Sequence, residues 1–189
     1  MSLDEDYARR LESLASPLWK RILDVQAPYR WNLRRLSPGY TLDIGCGIGR
    51  NLKHLKGHGV GVDPNRACVG AARLAGLKAF TPEEFAAAPE SFDSILLSHV
   101  LEHVTGAEGR DLLDAYLPYL KPGGQVIIIT PQEAGFASDK THQTFLDFAA
   151  VRRCCEALNL SVAKQFSFPF PRWMGRWFLY NEFVSVARK

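Results

Sequence analysis

Apolar positions along this chain switch repeatedly between helical and strand-like spacing. Over residues 4–36, Leu11, Leu14, Leu18, Ile22 and Val25 recur three or four apart, the period of one helix face, with Pro17, Pro28 and Pro38 as punctuation. A short apolar run at 40–44 predicts a first strand, and a helix is expected over 50–55 after a glycine-dense turn. A strand at 60–63, a helix from 65 to about 75 closed by Gly76, and a short strand at 78–80 follow. Residues 94–98 read as the fourth strand, introduced by Phe92 and Asp93, with a helix over 109–120. The turn LKPGGQ leads into a fifth strand at 126–130, and a helix is predicted over 145–158. Two last strand-like runs, 160–168 and 183–188, are separated by a connection that is long for a plain hairpin. Strands alternating with helices predict an α/β fold, a mostly parallel sheet with helices on both faces and an antiparallel pair at its end.

Composition narrows the function classes. The 189 residues predict one domain over 1–189, with a helical cap over 4–38 and a core over 39–189. Apolar residues at 47% and charged residues at 23% are a folded balance and argue against disorder. A net charge of +3 is too small to point to nucleic acid by itself. No stretch approaches the roughly twenty apolar residues that span a bilayer, and no signal-like pattern opens the chain. Cys46, Cys68, Cys154 and Cys155 show no metal spacing, and the adjacent pair falls in a helical pattern as packing residues. The cytoplasm is the expected compartment.

Residues 42–51 read LDIGCGIGRN, and Asp63 ends the next apolar run. A strand, a glycine-rich turn, a helix start and then an acid is a geometry for holding a nucleoside cofactor. Glycine lets the backbone turn sharply and a ligand lie against it, and an ionised carboxylate such as Asp63 can accept from both ribose hydroxyls. Dinucleotide sites usually show GxGxxG, whereas Gly45, Gly47 and Gly49 give GxGxG with Arg50 at the third dinucleotide position. Asp43, just before the turn, would repel a pyrophosphate and suits the ammonium group of a methionine moiety.

This segment resembles motif I of the class I S-adenosylmethionine-dependent methyltransferases, where DxGCGxG is the usual form. FDSILLSHVLEHV (92–104) resembles that family's fourth motif, and LKPGGQVIIITP (120–131) its next turn and strand. His142, a helix and a short strand resemble the subgroup near the ubiquinone-biosynthesis O-methyltransferases. The resemblance covers about residues 40 to 189 and implies a Rossmann-like sheet of seven strands, S-adenosylmethionine as cofactor and S-adenosylhomocysteine as product. It implies that Asp43, Gly45, Cys46 (through its backbone) and Gly47 wrap the methionine part and Asp63 holds the ribose beside Pro64 and Asn65. Ser98 and His99 would close the cofactor site at the end of the fourth strand. The loop 81–85 departs from the family's acidic-alanine signature, and Phe85 either packs on the adenine or belongs to the core.

Transfer from a sulfonium is an in-line displacement that needs alignment more than activation, and near-attack geometry supplies roughly 7–11 kcal/mol. A hydroxyl acceptor gains from a general base, and His103 and His142 are the candidates, each weighed against a structural role. His99 and His103 stand four apart and would share a face if the segment were helical. HVLEH lacks the HExxH zincin pattern, so no metal site is assigned.

The acceptor is expected to be a small molecule, methylated at oxygen; C- or N-methylation of a quinone-like or lipid-linked acceptor, or a non-catalytic cofactor-binding role, are the alternatives. Nucleic acid is disfavoured, because the fourth strand ends in SHVL rather than an NPPY-type tetrapeptide. Residues 29–32 are a candidate lid. FPFPRWMGRWFLY (168–180) reads as an aromatic plug, a pocket wall for an amphipathic or anionic acceptor, or a peripheral membrane contact. Oligomeric state is not legible.

Overall fold

Two short strands with every residue buried, Thr41–Ile44 and Gly59–Val62, joined by turns that glycine tolerates, organise the first part of the chain. A computed structural model describes residues 24–189; the expected helix face at Leu11, Leu14, Leu18 and Ile22 lies outside the described residues. The described elements are α1 (Ala27–Arg35), β1 (Thr41–Ile44), α2 (Arg50–His54), β2 (Gly59–Val62), α3 (Arg66–Leu74), β3 (Ala79–Phe80) and β4 (Phe92–Ser98). They continue with α4 (Gly106–Tyr116), β5 (Leu120–Pro131), α5 (Glu133–Ala137), α6 (Phe148–Ala157), β6 (Ser161–Phe168) and β7 (Glu182–Arg188). The seven strands hydrogen-bond in the order β3-β2-β1-β4-β5-β7-β6. Pairs β2/β3 and β4/β5 are parallel, and β7 runs antiparallel to both β5 and β6. This is the expected α/β class.

The residues group into two compact units: up to Pro38 with Leu42–Ala86, and Gly39–Thr41 with Ala87–Lys189. In the first, Cys46, Leu52, Val69, Ala72 and Ala79 pack together, with Leu77 against them. Helix α3 starts where expected because the Asn65 side chain accepts from the backbone N–H groups of Ala67 and Cys68, both at 3.0 Å. Residues 29–32, the candidate lid, lie within α1, where Asn32 is buried and Arg35 stands over the exposed Trp31 ring at 4.5 Å.

In the second unit, Phe92, Ile95, Leu96, Leu97, Leu120, Ile127, Ile128 and Phe183 are almost fully buried. Helix α4 begins three residues before its predicted start, since Thr105 and Glu108 form a capping box that satisfies backbone donors at both positions. It ends at Tyr116, where Pro118 takes the chain into a tight turn. The predicted turn LKPGGQ lies inside β5: Phe92 pairs with Leu120 and Ser94 with Gln125, so the residues between Leu120 and Gln125 bulge out of register. Asp93 secures the bulge, accepting from Lys121 Nζ at 2.6 Å and from the Tyr40 N–H at 2.8 Å. The predicted helix 145–158 is the shorter α6, capped by Asp147 accepting from the Ala150 N–H at 2.8 Å. Helix α5 has no counterpart in the sequence reading.

Candidate functional site

Glycines Gly45, Gly47 and Gly49 all sit in the left-handed backbone region, at φ 68°, 53° and 79°. The loop they form leaves β1 and enters α2, and a side chain at Gly49 would strike Leu77. The N–H groups of Gly45 and Cys46 both donate to the Val62 carbonyl, at 2.8 and 3.2 Å, pinning the loop to the end of β2. Cys46 divides its two faces between loop and core. Its backbone is in the loop, while its side chain is buried so tightly against β2 that a Cβ on Gly61 would come within 2.5 Å of its sulfur. Burial pushes the thiol far above the usual range, so it is a packing group and no nucleophile.

Two carboxylates hold this cradle. Asp63 Oδ2 accepts from the Gly47 N–H at 2.7 Å, and its Oδ1 from the Asn65 N–H at 2.9 Å. The carboxylate thus bridges the glycine loop and the start of α3, and each oxygen keeps a lone pair for a further donor. Burial raises its pKa, with the two N–H groups pulling the other way. Pro64 beside it is exposed. Asp43 is fully buried on β1; Asn51 Nδ2 reaches its Oδ1 at 3.5 Å, and its Oδ2 is buried with no hydrogen-bond partner. Burial lifts its pKa to about 7, against the Asn51 amide. A buried, unmatched carboxylate oxygen is the partner a cationic group needs, so these residues fit the ammonium end of a methionine-bearing cofactor. Phe85 is half-buried.

In the second unit the residues after β4 do not form a regular helix. His99 takes a left-handed φ of 59°, and one 3₁₀ turn covers Leu101–His103. The condition under which His99 and His103 would share a helical face is therefore not met. His99 is instead clamped: Nδ1 lies 3.1 Å from Glu102 Oε1 and Nε2 lies 2.8 Å from Glu182 Oε1. Burial alone would lower its pKa, but the two carboxylates outweigh it and lift it to about 9. The ring is a charged tie between the end of β4 and the start of β7. Ser98, the last residue of β4, is buried.

His103 and His142, separated by 39 positions in the sequence, pack as neighbours with ring centroids 4.8 Å apart and planes tilted by 60°. His103 Nδ1 lies 3.1 Å from Thr141 Oγ1, and His142 Nδ1 lies 2.8 Å from the Phe136 carbonyl oxygen. Glu102, fully buried beside them, stands out in the sequence only as the acid between His99 and His103, and its burial against His142 is not legible there. The available signal was an acid inside an apolar segment that directly follows a buried strand.

The aromatic segment 168–180 is part anchor and part open surface. Phe168 and Gly175 are buried, whereas Trp173 is 65% and Trp177 80% exposed, so the plug reading fails for both tryptophans. Asn181 holds the segment, accepting from the Phe170 N–H at 2.9 Å and donating to Gln132 Oε1 and Ser167 Oγ, each at 3.0 Å. Arg172 pairs with Glu133 and stands 4.7 Å from the Phe183 ring centroid. Among the described residues, no helix is long and apolar enough to cross a membrane.

Comparison with known proteins adds an independent finding. The family profile described as a methyltransferase domain matches residues 7–165. A ubiquinone biosynthesis O-methyltransferase of Stutzerimonas stutzeri is 30% identical over 150 residues, covering 68% of this chain and 64% of that protein's length. Among solved structures, an S-adenosylmethionine-dependent methyltransferase from Archaeoglobus fulgidus superposes with a TM-score of 0.66 at 19% identity, over 85% of this chain and 93% of the other. A Thermotoga maritima S-adenosylmethionine-dependent methyltransferase gives 0.71 at 18% identity, over 97% and 96%. With a matching profile over most of its length and the shared fold, the chain belongs to the methyltransferase-domain family and has the architecture of its S-adenosylmethionine-dependent members.

Proposed function

We propose that this protein methylates a hydroxyl oxygen of a small-molecule acceptor, with S-adenosylmethionine as the methyl source. The observation that carries the reading is Asp43 Oδ2, a buried carboxylate oxygen with no partner at the foot of a left-handed glycine loop. Asp43 takes the ammonium group, the Gly45–Gly47 backbone lies along the methionine part, and Asp63 accepts from the ribose hydroxyls while keeping its two N–H donors. Pro64 flanks the ribose, and Ser98 and His99 keep the cofactor role that the family resemblance implies, His99 through its backbone because its ring is taken by Glu102 and Glu182. The bound cofactor supplies a methyl group on a sulfonium, whose neutral thioether leaves readily.

His103 and His142 belong to the acceptor side, each with Nδ1 tethered and Nε2 able to take a hydroxyl proton. Oxygen is preferred as the acceptor atom because the Stutzerimonas stutzeri relative is named an O-methyltransferase. The exposed Trp173 and Trp177 face an amphipathic acceptor or the membrane surface that holds it.

Calorimetric titration with S-adenosylmethionine, S-adenosylhomocysteine and NADH tests the cofactor assignment. Micromolar binding of the first two is expected, weakened about tenfold or more in Asp63→Asn and Asp43→Asn and absent for NADH. Binding of NADH alone would return the loop to a dinucleotide role. Release of S-adenosylhomocysteine with a phenolic acceptor separates an enzyme from a cofactor-binding sensor.

A further inference from the structure

Glu102, His103 and His142 each offer one ligating atom, and the three atoms lie within 4.8 Å of one another. Glu102 is completely buried; its Oε1 meets His99 Nδ1, and its Oε2 is buried with no hydrogen-bond partner. Leaving a buried carboxylate oxygen unmet is costly, so a partner for it is expected. The two imidazoles are set for the same partner. Thr141 Oγ1 donates to Asp139 Oδ1 at 2.8 Å and therefore accepts from His103, which puts the proton on His103 Nδ1. The Phe136 carbonyl can only accept, so His142 Nδ1 carries a proton as well. In the neutral imidazole this tautomer leaves Nε2 of each ring as the lone-pair nitrogen, the form in which histidine ligates a metal while its other nitrogen is held in place.

The frame around them is rigid. The N–H groups of Gln143 and Thr144 donate to the Glu102 carbonyl at 2.7 and 3.1 Å, Gln143 Nε2 to the His103 carbonyl at 2.8 Å, and Thr144 Oγ1 to the Val104 carbonyl at 2.6 Å. These bonds fasten the loop bearing His142 to the turn bearing Glu102 and His103.

We propose that Glu102, His103 and His142 bind one divalent transition-metal ion and leave a coordination position open. Two imidazole nitrogens and one carboxylate oxygen suit zinc, cobalt or iron(II), whereas magnesium and calcium favour all-oxygen sites. Ligands about 2.1 Å from a tetrahedral ion stand roughly 3.4 Å apart, so the three atoms, within 4.8 Å of one another, close by at most about 1.4 Å on binding, a shift side-chain torsions supply. The open position takes water or an acceptor hydroxyl and makes it more acidic. With the ion bound, that task passes from the imidazoles to the metal. The site goes beyond the cofactor assignment, and metal binding stands or falls without methyl transfer.

Tag-free, chelator-treated protein titrated with cobalt(II), followed by calorimetry and visible absorption, tests it. One saturable site of micromolar or tighter affinity is expected, with ligand-field bands in the visible. His103→Ala and His142→Ala should each weaken it about tenfold or more, as should Glu102→Gln, while His58→Ala leaves it unchanged. Circular dichroism checks folding; should Glu102→Gln unfold, the two histidine variants decide. Absence of saturable binding by wild type at millimolar cobalt, or wild-type affinity in both histidine variants, overturns the proposal.

Discussion

Asp43 shows how one side chain can carry both a cost and a purpose. It is buried where an ionised carboxylate is poorly solvated, and its pKa rises to about 7 for that reason. In the ligand-free cradle it is therefore mostly protonated below neutrality, while a cationic ligand favours the ionised form. Binding of S-adenosylmethionine must then strengthen as pH rises towards 7. Between pH 5.5 and 7, where the ligand's ammonium stays protonated, calorimetry should show affinity rising on the order of tenfold. Asp43→Asn should bind weakly with a flat profile; a flat profile in wild type would remove Asp43 from the ammonium site. Asp63 was legible from its spacing, but its grip on the Gly47 and Asn65 N–H groups was not, since those donors reach it only through the folded loop. His99 was read correctly as a residue at the strand's end, yet its tie to Glu182 spans 83 positions and no local pattern reveals it.

Elements with local signals were legible, and those set by partners were not. Helix α3 carries its own cap in Asn65, and its boundaries were close. Helix α4 also carries its start signal, the Thr105–Glu108 capping box, but apolar periodicity alone pointed to residue 109. The extra length of β5 had no such signal: it exists because β4 offers Phe92 as a partner to Leu120 across a bulge. The connection between β6 and β7 reads as aromatic in sequence, and only its anchoring by Asn181 decides which rings remain outside. Trp173 and Trp177 project from that anchored segment, close to Arg176 in the chain, a combination suited to a lipid interface. Flotation with vesicles containing anionic lipid should recover wild type, and Trp173→Ala/Trp177→Ala should lower the bound fraction several-fold. Equal flotation of both proteins would leave the tryptophans to the acceptor alone.

At the scale of the whole molecule, stability responds to groups that the fold holds in one charge state. His54 is buried on α2, and burial, with Arg50, Arg30 and Arg34 nearby, lowers its pKa to about 4. The unfolded chain takes up a proton near pH 6.5 where the native state does not, so this group's effect is to reduce stability as pH falls from 6.5 towards 4. At pH 5 the loss is on the order of 2 kcal/mol. Denaturant unfolding at pH 8 and pH 5 should show a shallower acid loss in His54→Gln than in wild type, and identical slopes would mean that His54 is protonated in the native state. Alternation of strand and helix, the glycine spacing and the placing of Asp43 and Asp63 were determined by the sequence by itself, because periodicity, turn chemistry and an acid beside a turn act over a few residues. The tertiary structure alone decided that His103 and His142 stand together beside a buried Glu102, that His99 is clamped by two carboxylates, and that Asp43 keeps an unmatched oxygen. The physical reason is that contact and desolvation depend on distance in space, and folding brings together groups that the chain keeps far apart.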